Sequence, residues 1–405
     1  MRLKILPLQP LSGTASGLSA PPPLSLYIHI PWCVRKCPYC DFNSHEARGG
    51  VPETEYIAAL VKDLEFALPQ VWGRKVVSVF FGGGTPSLLS ARAVGEILTA
   101  VRTLLPLEPL AEITLEANPG TAEAQKFADF RSAGVNRLSL GIQSFNARHL
   151  RLLGRIHDGI EARRAVELAQ RHFDNINLDL MYALPEQRMD EMLADLKTAI
   201  AFGPQHLSAY HLTLEPNTQF YLAPPSLPDD DTAAEMQEAV EAELAAAGYE
   251  HYETSGFAQK GWRCRHNLNY WLFGDYLGIG AGAHGKLSLH DGIVRQMRCK
   301  QPRAYLENAL KGAPLQEAHR VPAHDLGFEF MMNALRLTDG FPLGLFQERT
   351  GLPLVGVLDA LDKAEKRGLV ERDLVQVRPT KLGQRFLNEL LQGFLPEGEV
   401  QPILL

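Results

Sequence analysis

Three cysteines, Cys33, Cys37 and Cys40, fall within eight residues in "PWCVRKCPYCDF". A thiolate is a soft ligand that suits zinc or an iron–sulfur cluster. Structural zinc takes four ligands, usually as two close pairs. The other two cysteines, Cys264 and Cys299, lie far downstream, so the group stops at three. A cubane [4Fe–4S] cluster has four irons, so three thiolates would leave one iron open to another molecule.

Such a loop needs a scaffold. Short apolar runs alternate with amphipathic segments along the first half of the chain. Strands are predicted at Ser25–Ile30, Val76–Phe81, Glu112–Ala117, Arg137–Ile142, Asn175–Tyr182 and His206–Leu214. Helical patterns such as "EYIAALVKDLEFAL" and "ARAVGEILTAVRTLL" lie between them. That grammar implies an α/β fold of parallel strands covered by helices, an open sheet or an incomplete (β/α) barrel. Polar or glycine-rich residues follow most of the strands: the cysteine loop, "GGGTP" at Gly82–Pro86, Glu116, Gln143 and Asp179. The C-terminal ends of parallel strands form the rim where such folds do chemistry.

After Leu214 the pattern changes. A Pro- and Asp-rich loop leads to a helix over "AAEMQEAVEAELAAAGYE", with Thr232 as its expected cap. An aromatic, glycine-rich stretch follows. From about residue 314, three short helices, a hairpin over "LVERDLVQVRPT" and a last helix over "KLGQRFLNELL" describe a small, mainly helical, winged-helix-like unit. The chain divides into a flexible leader (1–23), the α/β part (24–255), a connecting segment (256–313) and the C-terminal unit (314–405).

The composition is that of a globular protein: 405 residues, 45% hydrophobic and 21% charged. A net charge of −7 gives no general attraction to nucleic acid or anionic membrane. No stretch approaches the ~20 apolar residues of a membrane-spanning helix. Prolines at Pro7 and Pro10 interrupt the early leucines, against a signal peptide. Five cysteines, three of them clustered, suit an intracellular, cytoplasmic chain better than a secreted disulfide scaffold.

Cys-x3-Cys-x2-Cys after "YIHIP" resembles the radical S-adenosylmethionine (SAM) superfamily. The resemblance implies a partial (β/α)6 barrel, a [4Fe–4S] cluster on Cys33, Cys37 and Cys40, and SAM on the open iron. It assigns SAM contacts to Gly83, Gly84 and Thr85 of "GGGTP", to the backbone of Tyr39 and to Tyr27. Carboxylates at Glu116 and Asp179 suit ribose hydroxyls or the amino group. Gln143 begins the loop after the fourth strand, and the Arg155 guanidinium suits the SAM carboxylate.

"LEANPG", "GIQSFN", "RLLGRIHD", "DLMYALPEQ" and the C-terminal unit resemble the HemN/HemW branch, which contains coproporphyrinogen III dehydrogenases and haem chaperones. Dehydrogenases continue the loop as Cys-x2-Cys-x-Cys; here Phe42 takes the final position, as in the chaperones. "HNLNYW" at His266–Trp271 resembles a chaperone motif linked with haem, which implies His266 as an axial ligand beside Tyr270 and Trp271. The implied function is binding haem and delivering it to recipient haemoproteins. Turnover of SAM, a homodimer and peripheral membrane association through the recipient are left open. The rivals are an oxygen-independent coproporphyrinogen III oxidase and a DNA-binding winged helix. The acids in "LVERDL" and "FLNELL" disfavour the second.

Overall fold

The structure, a computed structural model, describes residues 18, 20–121 and 124–396. Most of the expected leader therefore lies outside the described residues.

Period-two alternation builds the sheet. In β1 (Leu24–Ile30), Leu24, Leu26, Ile28 and Ile30 are buried on one face, and Ser25, Tyr27 and His29 share the other. The neighbouring strands are β2 (Val76–Gly83), β3 (Leu107–Ala117), β4 (Arg137–Gln143), β5 (Ile176–Tyr182) and β6 (His206–His211). These six strands lie side by side in chain order, all parallel. Helices α1 (Glu53–Val71), α2 (Ala91–Leu104), α3 (Ala124–Ala133), α4 (Gly159–Gln170) and α5 (Met189–Phe202) fill the connections. Their apolar stripes and the leucine faces of the strands make the main core. The opposite strand face is polar, with Ser139 beside Glu116, and Asn177 and Asp179 beside Ser139 and Gly141. The expected six-unit α/β architecture is present.

The sheet extends further than the six units. β7 (Glu250–Glu253) and β8 (Gly256–Ala258) add antiparallel strands beyond β6. Beyond β1 come β9 (Asp275–Ile279), parallel to it, and the antiparallel β10 (His284–Leu289), β11 (Gly292–Arg298) and β12 (Leu315–Arg320). The segment 256–313 is thus part of the sheet as well as a connector. A boundary at residue 314 would give β12 to the C-terminal unit, whereas its hydrogen bonds are made to β11.

The second core begins at Val321, with Phe273 and Ile293 reaching into it. Three helices, α8 (Leu326–Ala334), α9 (Leu343–Thr350) and α10 (Val355–Lys366), precede the hairpin of Val370–Arg372 and Gln376–Pro379. Phe341–Pro342 adds a third short strand. The last helix breaks at Phe386 into Lys381–Arg385 and Leu387–Gln392. The helix after the Pro/Asp-rich loop, α6 (Asp230–Ala246), starts earlier than expected. Asp229 caps it, accepting the Thr232 N–H at 2.8 Å, so Thr232 lies inside it.

Candidate cluster and cofactor site

The cysteine loop leaves the end of β1. Trp32–Cys33 pairs with His45–Glu46, which folds the loop back on itself. The Ala47 N–H donates to the Cys33 carbonyl at 2.9 Å, and the Cys40 N–H to that of Cys37 at 3.2 Å. Asn43 ties the loop across to β9–β11, donating to the carbonyls of Ala281 (2.9 Å) and Lys300 (2.8 Å). The three thiols are neighbours and half-buried. Burial pushes the Cys33 and Cys40 thiols up, so binding a metal there would release protons.

Gly82–Pro86 packs beneath this loop. The N–H of Gly84 donates to Ile30 at 2.8 Å and that of Thr85 to Trp32 at 2.7 Å. The Gly83 N–H donates to Glu116 Oε2 at 3.2 Å. The amides of Gly83, Gly84 and Thr85 are therefore bonded within the fold. The glycines have local reasons. Gly83 has φ +115°, and a Cβ there would lie 2.5 Å from the His29 ring. A Cβ on Gly84 would lie 2.6 Å from the Trp32 carbonyl oxygen. The Thr85 hydroxyl accepts from Asn118 at 3.0 Å.

Arg155 reaches the same rim. Its guanidinium donates to Asn118, to the Gly141 carbonyl at 2.7 Å and to Cys37 Sγ at 3.7 Å. Its Nε is buried without a partner. A cation with an unspent N–H beside a thiol suits the negative charge that clustered thiolates and a carboxylate ligand would bring. Gln143 sits at the end of β4 with φ +66°. Tyr39 packs by Phe220, ring centroids 6.4 Å apart, at the edge of a small cluster of Leu153, Leu184 and Leu212.

Two carboxylates stand on the polar face. Burial and then the charge of Asp179 push Glu116 up to about 8, against the pull of the Gly83 N–H and Arg137. Asp179 accepts from Asn177 at 2.7 Å and Ser139 at 3.1 Å, and burial raises it as well. Arg137, fully buried, lies among Cys264, Glu112, Tyr252 and Asp179. Asn118, Arg137, Ser139 and Asn177 were not singled out from the sequence. Asn118 had a signal, standing two residues after Glu116 and directly past the end of β3.

Among the described residues, no three His, Cys, Asp or Glu side chains gather closely enough to share one metal ion. A cluster that takes one iron per thiolate makes no such demand. The half-exposed thiols, the Arg155 cation and its orphan Nε fit that group.

His266 does not join this rim. It is 1% exposed. Its Nδ1 is hydrogen-bonded to Ser78 Oγ at 2.9 Å and its Nε2 to the Tyr270 hydroxyl at 3.0 Å. Burial pushes it down to about 3, so the ring is neutral. To act as an axial haem ligand, this imidazole would have to give up one of these two hydrogen bonds. Cys264 is fully buried, its thiol pushed up to about 12 by burial. Cys299 is buried against Asn308.

A sheet of six parallel strands carrying a three-thiol loop at its rim, with a glycine turn, an acidic pair and an arginine around it, defines a radical SAM protein. The profile of the radical SAM superfamily matches residues 27–199, and that of the HemN C-terminal domain residues 321–386. The fold resembles that of coproporphyrinogen III oxidase (HemN) from Escherichia coli, with TM-score 0.79 at 23% identity, covering 94% of this chain and 92% of that one. The heme chaperone HemW of Escherichia coli K12 is 50% identical, over 93% of this chain and 99% of its own. Bacillus subtilis heme chaperone HemW is 36% identical, over 92% of this chain and 99% of its own. A mouse protein, "Radical S-adenosyl methionine domain-containing protein 1, mitochondrial", is 36% identical over 96% of this chain and 90% of its own. The chain belongs to the HemW family.

Proposed function

We propose that this chain is a haem chaperone that holds a [4Fe–4S] cluster and SAM at the cysteine rim and passes haem to recipient haemoproteins, respiratory enzymes among them. The observation that carries this reading is likeness over more than nine-tenths of the chain to proteins named heme chaperones.

In this reading Cys33, Cys37 and Cys40 hold three irons, and SAM completes the fourth. When bound, the cluster supplies one-electron reduction of SAM. The protein's own residues bind and orient. Arg155 meets the SAM carboxylate with its free Nε–H. Glu116 and Asp179 accept hydrogen bonds from ribose hydroxyls or the amino group. Gln143, Tyr27, the Tyr39 backbone, the Thr85 hydroxyl and the carbonyls of Gly83 and Gly84 line the remainder. Phe42, 59% exposed, stands where the dehydrogenases carry a further thiol. The chain works in the cytoplasm; no described helix is long and apolar enough to cross a membrane. Any membrane contact comes through the recipient, and nucleic acid is not a partner.

The test is anaerobic reconstitution with iron and sulfide, followed by haem titration. A saturable change in the Soret region is expected, and its absence overturns the proposal. Conversion of coproporphyrinogen III to vinyl products would replace it with the oxidase reading.

A further inference from the structure

The helix α7 (Arg265–Trp271), which holds "HNLNYW", is anchored along its whole length. At its start, Glu112 of β3 accepts the N–H groups of Arg265 (3.2 Å) and His266 (3.1 Å). Inside, the His266 ring stacks on Phe80 (centroids 4.9 Å) and lies 6.4 Å from Tyr27. The Tyr27 hydroxyl is bonded to His29 Nδ1 at 3.0 Å, and His29 Nε2 to the Asn43 carbonyl of the cysteine loop at 2.9 Å. In the other direction, Tyr270 meets the Tyr276 ring edge-on at 4.4 Å. The Tyr276 hydroxyl accepts from Arg295, which is paired with Glu329 of α8. At the helix end, Arg336 of the C-terminal unit lies 4.3 Å over the Trp271 ring, and Arg349 donates to the Leu272 carbonyl at 3.3 Å. Packed side chains thus run without a gap from the cysteine loop to the C-terminal unit, and His266 is in the middle.

We infer that His266 is a positioning residue, not an iron ligand, and that the HNLNYW helix couples the cysteine loop to the C-terminal unit. The coupling follows from where the polar atoms go. One imidazole nitrogen is bonded to Ser78 of β2, the strand beside the β1 that carries Tyr27 and His29, and the other to Tyr270, which leads to the C-terminal unit. Losing either bond frees the helix from one end. A continuous network of this kind transmits only if both ends respond to a change in the middle. The statement about iron rests on the haem-chaperone reading; the coupling does not.

The test uses the full chain, reconstituted anaerobically, as wild type, Tyr270→Phe and His266→Gln. Tyr270→Phe removes only the hydroxyl on Nε2. Loss of one bond of ordinary strength predicts about fivefold faster amide hydrogen exchange, and we expect it in both 31–47 and 326–336. His266→Gln, whose amide replaces part of the bonding, exchanges closer to wild type. Haem-loaded, all three give the same Soret maximum and the same electron paramagnetic resonance spectrum. Faster exchange confined to 265–276 overturns the coupling. A changed Soret maximum in His266→Gln, with exchange unchanged, makes His266 the ligand and overturns the positioning role. If the wild type gives no saturable haem spectrum, the chaperone reading falls, and exchange alone still decides the coupling.

Discussion

The loop of Cys33, Cys37 and Cys40 keeps its thiols half-exposed and the Nε of its neighbour Arg155 unspent. The helix of His266, with Cys264 just ahead of it, buries both residues and bonds both imidazole nitrogens. Both regions are rich in metal-ligating residue types, and both lie against the same sheet. The difference is what each has left over. A site that takes up a ligand needs groups whose bonding is incomplete in the empty protein, and it forgoes some stability for that. A buried imidazole with both nitrogens bonded contributes order instead, and leaving one of them unmatched is costly.

The strongest way to break the comparison is at the open region. Cys37→Ala should lose the brown absorbance and most of the bound iron after reconstitution, with the far-ultraviolet circular dichroism unchanged. Retention of four irons per chain would contradict the cluster assignment. In the closed region the large effect should be on stability. Asp275 is fully buried, paired with Arg74 at 2.8 Å and Lys286 at 3.1 Å. Asp275→Ala leaves two cations uncompensated and should cost about 3–5 kcal/mol in urea unfolding. A loss below about 1 kcal/mol would mean that the pair is not desolvated as the structure has it.

Gly83→Ala tests the border between the two regions. Its positive φ and the 2.5 Å approach to His29 should cost about 1–3 kcal/mol and displace the loop. A melting temperature equal to wild type would count against the clamp. A change in pH dependence is expected at the rim. Glu116 is raised from 4.5 to about 8 in the folded chain. Its unfolded form ionises first, so stability is full below about 4.5 and falls as pH rises toward 8. Glu116→Gln should flatten the stability–pH curve between those values. An unchanged slope, measured by urea unfolding at several pH values, would show that the carboxyl ionises normally.

The strands and the thiol loop were legible because their signals are local. "LSLYIHI" alternates within seven residues, and three cysteines crowd one loop. β12 was not legible: its residues Leu315–Arg320 are almost all exposed, so no apolar alternation marks it, and backbone pairing at a sheet edge decides it. The rim was half legible. Glu116 and Asp179 follow from position at strand ends, but the Arg155–Asn118 contact joins residues 37 apart and exists only once β3 and β4 are side by side. His266 was ambiguous in the sequence for a related reason. A histidine in an aromatic sequence suits a porphyrin or a core equally well. The bond to Ser78, 188 residues away, favours the core and has no trace in the local sequence.

The amide clamp on the cysteine loop has a consequence for loading. Gly84 and Thr85 bond to β1 and Trp32 from below, and Asn43 grips two carbonyls on the far side. A loop already fixed at both flanks surrenders little freedom when an inorganic guest arrives. Insertion of iron and sulfide should therefore be a filling step, fast and nearly silent in the backbone, with no refolding of the surroundings.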